Sequence, residues 1–229
     1  MLGLLYDVHG NLPALRAALS DAREQGAESF VLGGDYALFG PYPDETVAAL
    51  RELDAVWIRG NGERWTASPG DAPDDEMVQG AIAACRQALG EGLVAELAAL
   101  DEQRVDGDVR YCHGSPVSDV RSFFPQAADD EDELLAGVGE RRLVFGHTHL
   151  PFRRQAAGGV ELVNPGSVGM PFDGDPRAAY ALVHDDGELE HRRVAYDHAA
   201  SAAAVRERFD GGWTATVAAR IEQARFDAG

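Results

Sequence analysis

Short apolar stretches alternate with amphipathic segments in the N-terminal part of the chain. Leu2–Tyr6, Ser29–Leu32 and Ala55–Ile58 are mostly apolar, as expected of strands that are buried on both faces. Between them, Ala14–Gln25 and the segment from Pro43 to about Leu53 carry apolar residues at helical spacing. The order strand, helix, strand, helix, strand predicts right-handed βαβ units and a parallel sheet.

The middle of the chain changes from a helical to a strand pattern. An acidic, proline-containing loop at Pro69–Glu76 precedes a mainly helical stretch from Met77 to Leu100, which Gly90 and Gly92 are expected to break. From Gln103 onward the pattern shifts toward strands. The predicted elements there are a strand at Val109–Cys112, a short acidic helix at Asp129–Leu135 and a strand at Arg142–Phe145.

Two β-hairpins and a helical region complete the chain. The hairpins pair Phe152–Gln155 with Val160–Val163 and Ala179–Val183 with Leu189–Val194. The Ala-rich segment 196–229 predicts closing helices with a break near Gly211 and Gly212. Since no repeat, long linker or composition shift divides the chain, we expect one domain spanning 1–229. The apolar positions of the C-terminal helices either cover the core or pair two subunits, so the oligomeric state stays open.

Composition restricts the partners and the compartment. The formal net charge is −19, and all 20 basic residues are arginine. A field this negative repels polyanions, so stable binding to nucleic acid is not expected, whereas a small anion can bind where metal ions invert the local field. No stretch reaches the roughly 20 apolar residues of a membrane span, and no signal peptide is recognisable. We therefore expect a cytoplasmic protein without membrane contact.

Polar residues of the metal-ligand type follow the predicted strands at five places in the chain. They are Asp7 with His9, Asp35, Asn61, His113, and His147 with His149. In open α/β sheets the ligand site lies outside the carboxyl ends of the strands, so chain order brings these groups to one edge. If Asp7–His9 and His147–His149 are extended, residues two apart point the same way and each pair forms a clamp.

The donor types indicate a pair of transition-metal ions. Neutral imidazoles suit Mn, Fe, Co, Ni or Zn, and carboxylate and amide oxygens complete the coordination. Asp35 is our choice for the carboxylate that bridges the two ions. Two ions about 3.5–4 Å apart can share a hydroxide as nucleophile and bind the phosphoryl oxygens of an ester. The sequence thus predicts a dimetal phosphoesterase, with manganese as the first choice of metal.

The motifs Asp-x-His, Gly-Asp, Gly-Asn, His and Gly-His-x-His, in this order, resemble the signature of the calcineurin-like metallophosphoesterase superfamily. The segments Asp35–Asp44 and Asn164–Gly169 are also similar to its small prokaryotic branch, the YfcE-like phosphodiesterases. This resemblance implies an α/β fold, a four-layer αββα sandwich of two mixed sheets flanked by helices. It also implies two ligand sets that share Asp35. One set is Asp7, His9, Asp35 and His149, and the other is Asp35, Asn61, His113 and His147.

Gly62 departs from the family pattern. The family usually has Gly-Asn-His followed by Asp or Glu, where this chain has Gly60-Asn61-Gly62-Glu63. In the family this histidine acts as a general acid that protonates the departing oxygen. Such an acid raises the reaction rate about 10²–10⁴-fold, and glycine cannot supply it. Members that lack the histidine are often phosphodiesterases, so we expect small phosphodiesters, including 2′,3′-cyclic nucleotides, as substrates. Besides Asn61, Glu63 is a candidate catalytic residue, as a substrate contact, or a fold contact through its own hydrogen bonds.

Several other residues carry open alternatives. Asn164 and Ser167 either orient His147, touch phosphate, or only form a turn. Three aromatic residues either stack on the substrate or pack in the protein: Phe39, Tyr42 and Trp65. Arg59 and Arg64 either bind phosphate or are solvated charges. Three spare histidines are expected to face solvent: His184, His191 and His198. Cys85 and Cys112 are expected to be buried apolar residues, with a disulfide left open.

Two other functions compete with the phosphodiesterase. One is a phosphomonoesterase or Ser/Thr protein phosphatase. The other is a non-catalytic scaffold like a retromer subunit, which keeps the fold with a degraded metal site. The intact set of donors argues against the scaffold.

Overall fold

The computed structural model describes residues 1–228, whose strands form two five-stranded sheets. The strands are β1 (Leu2–Leu5), β2 (Ser29–Leu32), β3 (Ala55–Trp57), β4 (Gln103–Asp106), β5 (Val109–Cys112), β6 (Arg142–Val144), β7 (Phe152–Gln155), β8 (Glu161–Asn164), β9 (Ala178–Val183) and β10 (Leu189–Val194). The helices are α1 (Leu12–Glu24), α2 (Pro43–Arg51), α3 (Asn61–Ala67), α4 (Glu76–Ala98), α5 (Glu131–Leu134), α6 (His198–Arg208) and α7 (Trp213–Gln223).

Both sheets are mixed. The first has the order β10-β9-β1-β2-β3, with β1, β2 and β3 parallel and β9 antiparallel to β1. The second has the order β4-β5-β6-β8-β7, with β5, β6 and β8 parallel and the two edge strands antiparallel. The predicted parallel βαβ units and both hairpins are confirmed. The second hairpin, β9 and β10, extends the first sheet on the other side of β1.

Each sheet buries both of its faces. Along β1, Leu4 packs into a core between the two sheets together with Tyr6, Val144 and Val163. Leu5 points to the opposite face, where helices cover the first sheet. The outer face of the second sheet is covered by a thinner layer, in which α5 and the segment before it contribute apolar side chains. The predicted α/β sandwich of two mixed sheets flanked by helices is confirmed.

The helices differ from the sequence prediction at two points and agree with it at a third. Asn11 caps α1, where its side chain accepts a hydrogen bond from Ala14 N at 3.4 Å, so the helix begins at Leu12. Helix α3 was not predicted, because it directly follows the motif at Asn61 and lacks a clear apolar stripe. The predicted break in α4 is present at Gly90, where two helical parts meet at a kink and the φ of 73° favours glycine.

The C-terminal helices cover the core. Val205 of α6 and Trp213, Val217 and Ile221 of α7 are buried in the same cluster as residues of α1 and α4. Of the two alternatives for the apolar positions in this region, covering the core is the one that the structure shows. Cys85 and Cys112 are both free and buried, as expected. Within residues 1–228, no helix combines the length and the apolar character that crossing a bilayer requires.

Candidate metal centre

All of the candidate ligands lie at one edge of the two sheets. Asp7 follows β1 and Asp35 follows β2 in the first sheet, while His113 follows β5 and His147 follows β6 in the second. Asn61 is the first residue of α3, just after β3. Six of the seven candidate ligands are buried, and His147 is partly exposed. The two sheets therefore contribute to one site, as chain order predicted.

The backbone at these ligands is unusual. Five of the seven non-glycine residues with positive φ in the described chain are candidate ligands: Asp7 (52°), His9 (48°), Asp35 (55°), His147 (67°) and His149 (58°). A left-handed conformation costs a non-glycine residue about 1–3 kcal/mol and clusters at functional sites. The expectation that Asp7–His9 and His147–His149 are extended is therefore wrong. Each pair is a tight turn; Asp7 and His9 still bring their ligand atoms into one cluster, whereas His147 lies beside Asn61 and His149 beside His9.

His9 and His149 form one half of the site. The Nε2 atoms of the two rings lie 3.0 Å apart. Nδ1 of His9 donates to Leu38 O at 2.9 Å, and Nδ1 of His149 donates to Met170 O at 2.6 Å. With each Nδ1 carrying the proton, both Nε2 atoms present lone pairs to one another. Two facing lone pairs repel each other, and a cation that binds both removes the repulsion.

Asn61, His113 and His147 form the other half. His113 Nδ1 donates to Gly33 O at 2.8 Å, which leaves a lone pair on Nε2. The Asn61 Oδ1 atom lies 3.0 Å from that Nε2 and 2.8 Å from His147 Nδ1. An amide oxygen that faces ring nitrogens is poorly placed for hydrogen bonding, and the reverse orientation of the amide would give donors instead. The oxygen-inward orientation is the one that would bind a shared cation.

Asp7 and Asp35 lie between the two halves. Asp35 Oδ2 is 3.8 Å from His9 Nε2, and Asp35 Oδ1 is 3.5 Å from His113 Nε2. Asp7 Oδ1 is 3.5 Å from His149 Nε2 and 3.8 Å from His113 Nε2. The clusters Asp7, His9, His149 and Asp7, Asp35, His113 each bring their ligand atoms within 4.8 Å of one another. Asp35 thus presents one oxygen to each half, and Asp7, which belongs to both clusters, faces both halves through Oδ1.

Burial determines the protonation of the site. It lowers the pKa of His9 to about 4 and that of His147 to about 3, so both rings are neutral at pH 7 and can act as ligands. Burial also raises the pKa of Asp7 and Asp35 well above the usual carboxyl range. Without a cation these carboxyls hold protons, and a bound cation would favour their charged form. The donor set therefore fits divalent metal ions.

Glu63 makes its hydrogen bonds to the backbone. Its Oε2 accepts from Asp35 N at 2.9 Å and from Gly60 N at 2.8 Å, and its Oε1 accepts from Tyr36 N at 2.8 Å. The residue is only 4% exposed. Of the two alternatives, these bonds match the fold contact. Glu63 fixes the loop that carries Asp35 to the start of α3.

Gly62 lies against the Asp35 carboxylate. Its backbone N donates to Asp35 Oδ1 at 2.6 Å. A Cβ atom at this position would lie 2.8 Å from the same oxygen and 3.1 Å from Cγ of Asp35. Any side chain here would require the Asp35 carboxylate to move. Because position 62 is glycine, the Asp35 carboxylate can lie against the backbone there.

Asn164 and Ser167 contact the ligand loops. Asn164 Nδ2 donates to Gly146 O at 3.1 Å and to Thr148 Oγ1 at 3.0 Å, on either side of His147. Ser167 Oγ donates to Asp7 O at 2.7 Å. Both residues thus support the conformations of the ligand loops as well as their own turn.

The aromatic candidates pack within the protein. Phe39 lies beside the His9 ring, with centroids 5.8 Å apart, and Tyr42 lies under the Arg208 guanidinium. Trp65 is half-buried against the helical core. Sequence reasoning missed Phe172, whose ring stacks on His149 with a centroid distance of 4.4 Å. Phe172 follows the Asn164–Gly169 segment and has no motif of its own.

The spare histidines lie away from the ligand cluster. His184 pairs with Glu190, at 3.3 Å, and His198 packs beside Tyr196. His191 is exposed, although its Nε2 contacts Asn164 O at 2.8 Å. His184 and His198 are partly buried, so the expectation of solvent-facing rings holds in part.

The comparisons with known proteins agree with this geometry. The family model for the calcineurin-like phosphoesterase superfamily domain matches residues 1–188. This match covers most of the chain. The chain belongs to the calcineurin-like phosphoesterase superfamily.

Individual relatives extend the comparison. An uncharacterised protein of Methanocaldococcus jannaschii is 29% identical over 221 residues, with 86% of this chain and 88% of the relative covered. The phosphodiesterase YfcE of Escherichia coli is 28% identical over 199 residues, with 81% of this chain and 89% of YfcE covered. The crystal structure of a metallophosphoesterase from Sphaerobacter thermophilus superposes with a TM-score of 0.83 at 26% identity, covering 97% of this chain and 98% of that one.

Family membership establishes the general chemistry. This calcineurin-like protein is a hydrolase of the metallophosphoesterase class and a homologue of a phosphodiesterase. The family implies divalent metal ions, and the buried Asp and His clusters are the ligand groups available for them.

Proposed function

We propose that this protein is a dimetal phosphodiesterase that hydrolyses small phosphodiesters. The observation that carries the proposal is the inward-facing donor set, above all the two Nε2 lone pairs of His9 and His149 at 3.0 Å. Two buried lone pairs that face each other destabilise the metal-free protein, and a bound cation would turn this repulsion into two favourable contacts. The arrangement therefore supports a functional metal centre.

The proposed ligands form two sets that share Asp35. The first set is Asp7, His9, Asp35 and His149, and the second is Asp35, Asn61, His113 and His147. When bound, two divalent ions would activate a water molecule and offset the negative charge of the phosphoryl group. Manganese is our first choice, with iron, nickel, cobalt or zinc as alternatives, because the imidazole and carboxylate mixture suits all of them.

Other groups of the chain orient the proposed metal ligands. Backbone carbonyls of Leu38, Gly33 and Met170 hold the protons of His9, His113 and His149 on Nδ1, so that Nε2 is the ligand atom. Glu63 fixes the Asp35 loop through three hydrogen bonds to backbone N–H groups. The left-handed backbone at five ligands keeps their side chains directed inward. This prior organisation lowers the cost of assembling the site when substrate binds.

Gly62 supports diesters over monoesters. Without a general acid at this position, esters with poor leaving groups should react slowly, whereas activated or strained diesters depend less on protonation. The 28% identity with a phosphodiesterase points in the same direction. Cyclic 2′,3′-nucleotides are our proposed candidates among natural substrates, since ring strain assists the departure of their leaving oxygen.

The net charge restricts the class of substrate and partner. With a net charge of −19, the protein should bind a small anion at the metals and repel long polyanions. We therefore propose a small-molecule substrate, no stable nucleic-acid partner and a cytoplasmic location.

The test compares metal content and two substrates. Protein stripped with a chelator and reloaded with Mn²⁺ should hold about two ions per chain and cleave bis(p-nitrophenyl) phosphate faster than p-nitrophenyl phosphate. Asp35→Ala should lose metal and activity together by at least about 100-fold. A faster monoesterase reaction would show a phosphomonoesterase or protein phosphatase. Substoichiometric metal with no metal-dependent turnover would show a scaffold.

A further inference from the structure

A cavity of about 350 Å³ opens beside the metal centre on the His113 side. Its wall includes Arg59, Arg64, His113, Ser115, Val117 and Asp119. The volume lies at the lower end of the range for small-molecule sites. Because His113 belongs both to this wall and to the candidate ligand set, a group bound in the cavity would lie next to a phosphoryl group at the metals.

Arg64 is held in this wall by Asp119. Its Nε and Nη2 atoms each donate to a different oxygen of the Asp119 carboxylate at 2.7 Å. Its side chain is only 26% exposed, so it is not a freely solvated charge. Two-point pairing of this kind fixes the plane of the guanidinium. The remaining nitrogen, Nη1, lies 3.8 Å from Asp71 Oδ2, beyond hydrogen-bond distance, and is available to another acceptor.

The same pair is connected to the metal ligands. Arg64 lies three residues after Asn61 on α3, which places both side chains on the same side of the helix. With the Asn61 oxygen directed inward, the Asp119 carbonyl oxygen lies 3.2 Å from Asn61 Oδ1, a close approach without a hydrogen bond that a cation would relieve. Arg59 differs in this respect. It bonds to Ala98 O and to Glu102, which also lines the cavity, and makes no hydrogen bond to Asp119.

We propose that this cavity receives the leaving group and that Arg64 stabilises the departing oxygen, in the place of the acid that Gly62 lacks. In the step, a water oxygen forms the new P–O bond and loses a proton to solvent. The P–O bond to the leaving group breaks, and its oxygen departs with the electron pair and later takes a proton from solvent. Arg64 stays protonated and contributes charge and a hydrogen bond. Asp119 is a positioning residue that holds Arg64.

This inference rests on the proposed phosphodiesterase, and it predicts a specific dependence on the leaving group. A fixed cation lowers the barrier most where the departing oxygen carries the most negative charge, which is the case for poor leaving groups. The test uses Mn²⁺-loaded protein with methyl p-nitrophenyl phosphate and methyl phenyl phosphate, whose phenols differ in pKa. Arg64→Ala should slow the phenyl ester by about 10–100-fold and the p-nitrophenyl ester by less than about fivefold.

Three variants control the experiment. Arg64→Lys keeps the charge and should recover part of the loss for the phenyl ester. Asp119→Asn should show the same selective loss in weaker form. Arg86→Ala is the matched control, because Arg86 also contacts α3, pairs with Glu91 and has a similar exposure of 29%, but does not line the cavity. It should slow both esters equally or not at all.

Two measurements besides turnover complete the test. Metal content and melting temperature should be the same in Arg64→Ala as in the unmodified protein. The metal-free Arg64→Ala variant should bind p-nitrophenolate about fivefold or more weakly than the metal-free unmodified protein, as measured by absorbance. Equal slowing of the two esters, or unchanged phenolate binding, would overturn the role of Arg64. If the unmodified protein cleaved neither ester, the proposed function itself would fail.

Discussion

The Nε2 atoms of His9 and His149 lie 3.0 Å apart, each with its Nδ1 atom hydrogen-bonded to a backbone carbonyl. The two residues are separated by 140 positions in the sequence. The two Nε2 lone pairs therefore face each other in a buried position, and neither nitrogen can donate a hydrogen bond to the other. The fold thus holds in place an unfavourable contact that a bound cation would turn into a favourable one.

This contact predicts strong stabilisation by metal. At a free Mn²⁺ concentration about 100 times the dissociation constant, each site should add about 2.7 kcal/mol to the free energy of unfolding. The melting temperature should rise by about 5–10 °C for each site in a chain of this size. His149→Ala should lose at least half of the rise, as measured by calorimetry. His184→Ala, a change at a histidine outside the site, should keep all of it. An equal rise in both variants would contradict the assignment of His149.

The hydrogen bonds of Glu63 predict a mainly structural effect of its loss. Glu63→Ala leaves the N–H groups of Gly60, Asp35 and Tyr36 without their acceptor, which should cost about 2–4 kcal/mol of stability. Chemical denaturation of the metal-free protein measures this cost. Glu96→Ala, which removes an exposed ion-paired carboxylate, should cost less than about 1 kcal/mol. A variant with normal stability but low turnover would instead make Glu63 a substrate contact.

The close approach at Gly62 predicts that even a methyl group will disturb the site. Gly62→Ala should push the Asp35 carboxylate away and weaken metal binding by about tenfold or more. Metal titration followed by calorimetry provides the measurement. Gly70→Ala is the control, since a Cβ there meets no atom within 4 Å. Should Gly62→Ala bind metal as tightly as the control, the position of Asp35 would not depend on the glycine.

The ion pair between Asp21 and Arg192 predicts a pH-dependent contribution to stability. The Arg192 guanidinium, together with a hydrogen bond from Tyr180, holds the pKa of Asp21 below its usual value of 3.8. A carboxyl whose pKa is lowered by folding stabilises the protein above the unfolded pKa, and this contribution is lost as the pH falls through the folded pKa. Asp21→Asn should therefore cost about 1–2 kcal/mol at pH 7 and progressively less below about pH 4. Urea denaturation across this range, compared with Asp185→Asn at an exposed site, measures the difference.

Much of the fold could be predicted from the sequence because the apolar runs are short and sharply bounded. The strands β1, β2 and β3 and both hairpins followed from local patterns that tertiary contacts did not override. Helix α3 could not be predicted, because it begins at Asn61 within a motif whose residues are selected for the site. The position of β9 beside β1 also depended on contacts between distant segments.

The candidate site divides in the same way. Ligand-type residues at the ends of buried strands, in the order Asp-x-His, Gly-Asn and Gly-His-x-His, determined which chemistry the chain can perform. Donor type and order are local properties, so the sequence alone contains them. Only the tertiary structure decided that Asp35 faces both halves, that Glu63 bonds to backbone, and that Arg64 and Asp119 border the cavity. Distances and rotamers depend on how separate segments pack, and no local pattern encodes that packing.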